Sequence, residues 1–206
     1  MRRKNQAEKR AQLAAAARTV LVERGAAAIR VKDVAERAGV SPSSLLYYYP
    51  AFEELLFEVA RDAIERYSEE RSEAVRHRED PVEGLRLAIR LGVPDGPEDE
   101  QSRILYELDA FTGTSPPFAV LSAAFFDRQA AMYEALLMRG SGAGEFDLRR
   151  PPIDLARSIV ALEDGLGLQV VLGHPAIDRE SAERMLLQFA GLATGTDLEP
   201  IERSVR

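Results

Sequence analysis

Apolar residues recur along this chain with a helical period almost throughout. Leu13, Ala17, Val20 and Leu21 share one face of a segment running over about 5–24, and Gly25 ends it. Val31, Val34, Ala35 and Ala38 form a second, shorter stripe that stops at Gly39, a residue free to take the left-handed backbone of a helix end. Ser41 is placed to cap the next helix and Pro42 to open it, because proline's missing N–H falls where no helical partner exists. Tyr49-Pro50 closes that helix, since the residue before a proline is pushed out of helical geometry. A longer helix is expected over about 51–77, with Phe52, Leu55, Leu56, Val59, Ala63 and Tyr67 as its apolar series. Five more are expected over 81–91, 98–111, 117–138, 152–172 and 178–192, separated by GVPDGP, TGTSP, GSGAGEFDLRR and GHPAI. With no strand-like alternation and no internal repeat, the pattern predicts an all-α fold of about nine helices, with Ile29 dropping into the core of a three-helix head.

The two short helices over 31–49 have the form of a helix-turn-helix. The small Ala35, four residues before Gly39, permits a close crossing, while Val34, Val40 and Leu45 seal the angle between them. In that motif the second helix lies in the major groove of DNA. Charge supports such a partner only through its distribution. The net charge is −7, but residues 1–50 hold 10 Lys or Arg against 4 Asp or Glu, a net +6, which leaves −13 for residues 51–206. A basic end on an acidic remainder is suited to docking DNA at one end only. The expected organisation is a helix-turn-helix DNA-binding domain at 1–50, a helical domain at 51–195, and a polar tail at 196–206.

The order of residues is more specific than the generic motif. DVAERAGVSxxxLxYYYPxxEEL, at 33–55, resembles the DNA-binding end of the TetR family of bacterial transcriptional regulators. The carboxy-terminal half, with GxxxGEF at 140–146 and LEDGLGLQVVLGHP at 162–175, resembles more loosely the ligand-binding domain of the subgroup containing the choline and betaine regulators. The resemblance implies nine helices, an operator of double-stranded, palindromic DNA, a homodimer closed by an intersubunit four-helix bundle, and a small-molecule effector.

On this reading Ser43, Ser44 and Tyr47 face base edges and Tyr48 donates to a phosphate, with Ser41 and Lys32 also counted among the DNA-binding residues. Arg2, Arg3, Lys4, Lys9 and Arg10 are either an arm on the DNA backbone or minor groove, or a solvated terminus. Lys32 and Arg37 face solvent or phosphate and not bases. The chain departs from the family at three places: Leu46 where a phosphate-contacting tyrosine is frequent, Phe52 where a lysine is typical, and Arg30 where a threonine or serine caps the second helix. The recognition helix has no arginine to read guanine bidentately, so its specificity leans on hydroxyls, tyrosines and apolar contact with thymine methyls. Each lost phosphate contact also flattens the log-log salt dependence by roughly 0.9.

Bulky residues at Tyr106, Phe111, Phe118, Phe125, Phe126, Met132 and Tyr133 either line a ligand pocket between helices or form core. Glu107 shares a face with Ile104, Leu108 and Phe111, so its carboxylate must receive a cationic ligand or meet an arginine such as Arg103 or Arg128. Glu163 and Asp164 pose the same question. The last two long helices are apolar on two sides, through Leu155, Ile159, Leu162, Leu166 and Val170 and through Val160, Gly167, Val171, Met185, Leu186 and Phe189, as helices shared with a partner are. Gly165 and Gly167 permit close backbone approach there.

Other function classes fare poorly. There is no cysteine, hence no thiolate chemistry or cysteine-bound zinc, which suits a bacterial cytoplasm. The two histidines, His77 at a charged helix end and His174 in a Gly-His-Pro turn, do not make a catalytic or metal site, and no nucleophile elbow or phosphate loop is present. No cofactor is called for. The start, MRRKNQAEKR, is not of signal-peptide type, and the longest uncharged run, 110–126, is too short and too broken by Pro116 and Pro117 to span a bilayer. The sequence therefore points to a cytoplasmic, ligand-responsive repressor. A co-repressed or activating regulator of the same fold, and a helical interaction protein whose head no longer reads DNA, are the alternatives.

Overall fold

The computed structural model describes the backbone of residues 2–198 and the side chains of residues 6–198. Among the described residues there are nine helices and no strand: α1 (Arg2–Arg24), α2 (Val31–Arg37), α3 (Pro42–Tyr48), α4 (Phe52–Arg76), α5 (Pro81–Gly92), α6 (Glu100–Asp109), α7 (Pro116–Gly142), α8 (Pro152–Val171) and α9 (Arg179–Thr194). None of them is long and apolar enough to cross a membrane. They divide into two compact units. One holds residues 1–66 and 100–122, the other 67–99 and 123 onward, so α4 and α7 each contribute to both. This partition by packing differs from the functional boundary drawn at residue 50, because α6 and the first turns of α4 and α7 close the core of the first unit.

In the first unit Leu13, Ala17, Val20 and Leu21 of α1 are buried against Val34, Ala35 and Leu45, with Ile29 beneath them and Leu55, Leu56 and Val59 of α4 completing the core. Gly25 and Gly39 take φ of 76° and 65°. These are the left-handed turns that end α1 and α2 sharply enough for three helices to fold on one another.

The second unit is built on Leu85 and Ile89 of α5, Tyr133 and Leu137 of α7, Ile159 and Val160 of α8, and Leu186 of α9. Asp80 caps α5 through the Val82 N–H at 2.8 Å. Asp178 and Ser181 form a reciprocal capping box at the start of α9, and Gly195 ends that helix in left-handed geometry. Most helix boundaries shift by one to three residues from the sequence expectation, and two differences are larger. α7 continues through Gly140 to Gly142, and the glycine that turns left-handed after it is Gly144, at φ 79°, while the ring of Phe146 packs on Gly140, where any Cβ would collide with it. The beginning of the expected polar tail is packed: Leu198 is buried with this core, and the Thr196 hydroxyl donates to the carbonyl of Glu145. Residues 199–206 lie outside the described residues.

Candidate nucleic-acid interface

Helix α3 is two turns long and is held from all sides but one. Its N-cap, Ser41, accepts from the Ser44 N–H at 3.1 Å, and Pro42 occupies the first turn. Leu45 is wholly buried under it, and Tyr49, its C-cap, is equally buried. What remains outward is Pro42, Ser43, Leu46 and Tyr47, the last of these 69% exposed, with Ser44 and Tyr48 half-buried beside them. The Tyr47 and Tyr48 rings meet edge to face at 5.2 Å, which fixes both phenols on one ridge. Lys32 is exposed on α2. Arg30, at the N-cap of α2, makes no side-chain cap. It donates instead to the carbonyls of Ala27 and Ile29, so α2 begins without the help a threonine or serine gives.

Two sets of contacts orient the motif. Arg24 in the last turn of α1 donates to buried Asp33 in the first turn of α2 at 2.8 Å, where a carboxylate also suits the helix dipole. Arg10 of α1 reaches the other end of the motif. One terminal nitrogen donates to the Tyr48 carbonyl at 2.9 Å, the other pairs with Glu58 of α4 at 2.5 Å, and the guanidinium lies 4.0 Å from the centre of the Tyr49 ring. The Tyr49 hydroxyl donates back to the Arg10 carbonyl at 3.4 Å. Burial, with the neighbouring Glu58 carboxylate, raises the pKa of that phenol.

α6 grips the corner between α1 and α2. Arg103 donates to the Val22 carbonyl at 2.9 Å, and the Glu107 carboxylate accepts the Ala26 N–H at 2.7 Å while lying against Gly25. Glu107 thus meets a backbone amide, a third outcome beside the cationic ligand and the arginine considered from sequence. Phe111 and Phe118 stack at 5.1 Å in the same unit, with Phe118 edge-on to Phe57 at 5.5 Å, and Tyr106 is half-buried nearby on α6.

The second unit has a polar centre of its own. Arg71 of α4 and Glu163 of α8 form a bidentate pair at 2.7 and 2.6 Å, with 2% and 5% of their side chains exposed. The same guanidinium donates to the Ala88 carbonyl, Gln129 and the hydroxyls of Tyr67 and Tyr133, and Tyr133 donates to Glu163. Burial alone would lower the Arg71 pKa. The Glu163 carboxylate and the two tyrosines outweigh it, so the pKa lies well above the ordinary value, and burial raises both phenols as well. Gly92 on α5 makes room, since a Cβ there would overlap the Glu163 carboxylate. Phe125 packs edge-on against Tyr67, and Met132 is half-buried against the apolar core of this unit.

Comparison with known proteins decides the family. The model of the bacterial regulatory proteins of the tetR family matches residues 13–59, and that of the BetI-type transcriptional repressor C-terminal domain matches residues 81–192, over half of the chain. The chain belongs to the TetR family. A regulator from Saccharomonospora viridis in complex with choline has the same fold, with a TM-score of 0.82 at 22% identity over 89% of this chain and 95% of that one. A TetR-family regulator from Rhodococcus sp. aligns with a TM-score of 0.73 at 25% identity, over 91% and 99%. RolR in complex with resorcinol aligns with a TM-score of 0.62 at 19% identity, over 95% and 91%. No curated protein matches the chain significantly.

In this TetR-family chain the motif residues named from sequence, Ser41, Ser43, Ser44, Tyr47 and Tyr48, lie together on and around α3, and Lys32 stands on the neighbouring helix. The side chains of Arg2, Arg3 and Lys4 lie outside the described residues. Arg10, grouped with them as a candidate arm, is bound within the protein. The residues named for a ligand fall into both units, Tyr106, Glu107, Phe111 and Phe118 into the first and Phe125, Met132 and Tyr133 into the second. Glu163 meets an arginine, as one of the two sequence alternatives had it, but Arg71 itself was not singled out. Its surroundings, SEERSEAVR, read as a solvated helix face, and its partner is 92 residues away. On α8, Val160 and Gly167 are buried within the unit. The apolar residues left open are Leu168 and Leu172 on α8 and Met185 and Leu192 on α9, with Leu172 and Leu192 at 68% and 87% exposure.

Proposed function

We propose that this protein is a homodimeric repressor that reads an inverted-repeat operator through α3 and is drawn off it by a small organic effector. The observation that carries the reading is the outward ridge of α3, where Ser43 and Tyr47 are exposed four residues apart with Leu46 beside them, on a helix capped by Ser41 and anchored by buried Leu45 and Tyr49. Residues 1–50 serve as the DNA-binding domain and 51–195 as the ligand-binding and dimerisation domain. Ser43, Ser44 and Tyr47 meet base edges, while Tyr48, Ser41 and Lys32, with Arg3 and Lys4, meet the backbone. Because α3 carries no charged side chain, base discrimination rests on hydroxyl, aromatic and methyl contacts.

Two copies pair through α8 and α9. Ala161, Gly165, Leu168 and Leu172 form one exposed stripe at helical spacing, and Met185 and Leu192 lie on the exposed side of α9. Gly165 has open space where a side chain would stand, which admits a partner's helix closely. One head reads few base pairs, and pairing doubles the site. An effector that binds better to the dimer whose heads are misplaced releases the operator by that difference in affinity. α4 is the lever, and the grip of α6 on the α1–α2 corner gives the signal a second foothold. The BetI-type match and the choline and resorcinol complexes of structural relatives support a small organic molecule. Within the second unit, however, Arg71 already lies over Tyr67 and Tyr133 at 5.7 and 5.1 Å, so those rings and Glu163 serve an internal cation. The protein works in the bacterial cytoplasm.

Replacing Tyr47 and Tyr48 together by alanine is expected to weaken operator binding by about tenfold or more, the scale of a lost specific contact. Unchanged affinity in a mobility-shift titration would remove α3 from the reading.

A further inference from the structure

We infer that Arg10 is a positioning residue for DNA recognition: its guanidinium sets the angle of α3 by tying the end of that helix to α1 and α4, and it is not itself a DNA contact. The inference rests on α3 being the reading helix. A two-turn helix cannot hold its own orientation, and its last carbonyls have no partners within the helix. Arg10 satisfies one of them, the Tyr48 carbonyl, from outside, and a cation is favourable at that end. The other terminal nitrogen is committed to Glu58 on α4, and the face of the guanidinium lies over the Tyr49 ring. Tyr49 returns a hydrogen bond to the Arg10 carbonyl, so the clasp is made from both sides. Three elements therefore meet at one planar group. The pair with Glu58 is partly exposed and adds little to global stability. Its effect is on geometry, at the base of the ridge that carries Tyr47 and Tyr48. Its charge is also already matched by Glu58 and is not on offer to phosphate.

The distinguishing variants are Arg10→Lys and Glu58→Gln, measured in the full-length protein by operator affinity and by amide exchange without DNA. Lysine keeps the charge but lacks the planar fork, so a clasp predicts that Arg10→Lys binds operator about tenfold more weakly, as expected for loss of charge-assisted hydrogen bonds. A phosphate contact predicts near-native affinity. Glu58→Gln separates the two by sign: losing a carboxylate and freeing Arg10 tightens binding if Arg10 is an arm and weakens it if Arg10 is a clasp. Both variants should speed exchange of the Tyr49 amide, which bonds to the Leu45 carbonyl, while the unfolding midpoint stays near wild type. If Arg10→Lys does not fold, Glu58→Gln carries the same test. Tyr47→Ala, which leaves the clasp intact, is the control. Native affinity for Tyr47→Ala overturns the reading of α3 and this inference with it. Native affinity for Arg10→Lys, or tighter binding by Glu58→Gln, with Tyr47→Ala impaired overturns the inference alone.

Discussion

The first unit keeps its ion pairs at the rim, while the second takes one into its interior. Arg10–Glu58, Arg24–Asp33 and Arg37–Glu23 each leave at least one partner substantially exposed, and the core beneath them is mainly leucine, valine and alanine. In the second unit Arg71 and Glu163 are buried at the meeting of α4, α5, α7 and α8, and each of those helices supplies a group to the network. Partly exposed pairs contribute little to stability, so those of the first unit link helices at their surface and leave cohesion to the apolar core. A buried pair costs desolvation and is repaid only in one geometry, so it stabilises a single register among the helices around it. The contrast separates a surface organised to meet a partner from an interior organised to hold one arrangement.

The largest effect that tests this contrast comes from breaking the buried pair on one side only. Glu163→Ala is expected to lower unfolding stability by about 3–5 kcal/mol, because it leaves Arg71 charged and unpaired in the interior. Tyr133→Phe, which removes one hydroxyl from the same network, is expected to cost about 1–3 kcal/mol. Glu23→Ala, which frees the exposed Arg37, is expected to change stability by about 0.5 kcal/mol or less. Denaturant titration of the three variants checks the series. A Glu163→Ala variant no weaker than Glu23→Ala would break the contrast.

The smallest expected effect concerns a rim charge of the second unit. Asp178 accepts the Ser181 N–H and hydroxyl, and those hydrogen bonds lower its pKa below the ordinary aspartate value. Its contribution is fully present above the unfolded-state value and is lost as pH falls through the folded one. Asp178→Asn should therefore flatten the acid limb of the stability profile slightly. An unchanged acid limb would show that the cap does not depend on the carboxylate charge.

The helix-turn-helix was legible from sequence because its determinants are local. Periodic valines and alanines, Gly39 with its positive φ, the Ser41 cap and Pro42 all act within a few residues of one another. The clasp and the polar centre were not, because they depend on partners far away in the chain. Arg10 sits in a basic run that reads as an arm until Glu58, 48 residues on, is found beside it. Arg71 lies in a charged run that reads as surface until Glu163 is placed against it. The stop expected for α7 before Gly140 lies further on, where Gly144 turns left-handed, while Gly140 leaves room for the Phe146 ring. The open faces of α8 and α9 were expected as a class, but which apolar side is free depends on how the two helices are buried within the unit.

Operator reading by α3 is tested by selecting duplexes from a random DNA library with the purified protein at moderate salt without added ligand. The expected result is enrichment of an inverted repeat whose half-sites lie about one helical turn apart, or a multiple of it, and loss of that enrichment in the Tyr47→Ala, Tyr48→Ala variant. A library that stays random, or an enrichment indifferent to those two tyrosines, would contradict it.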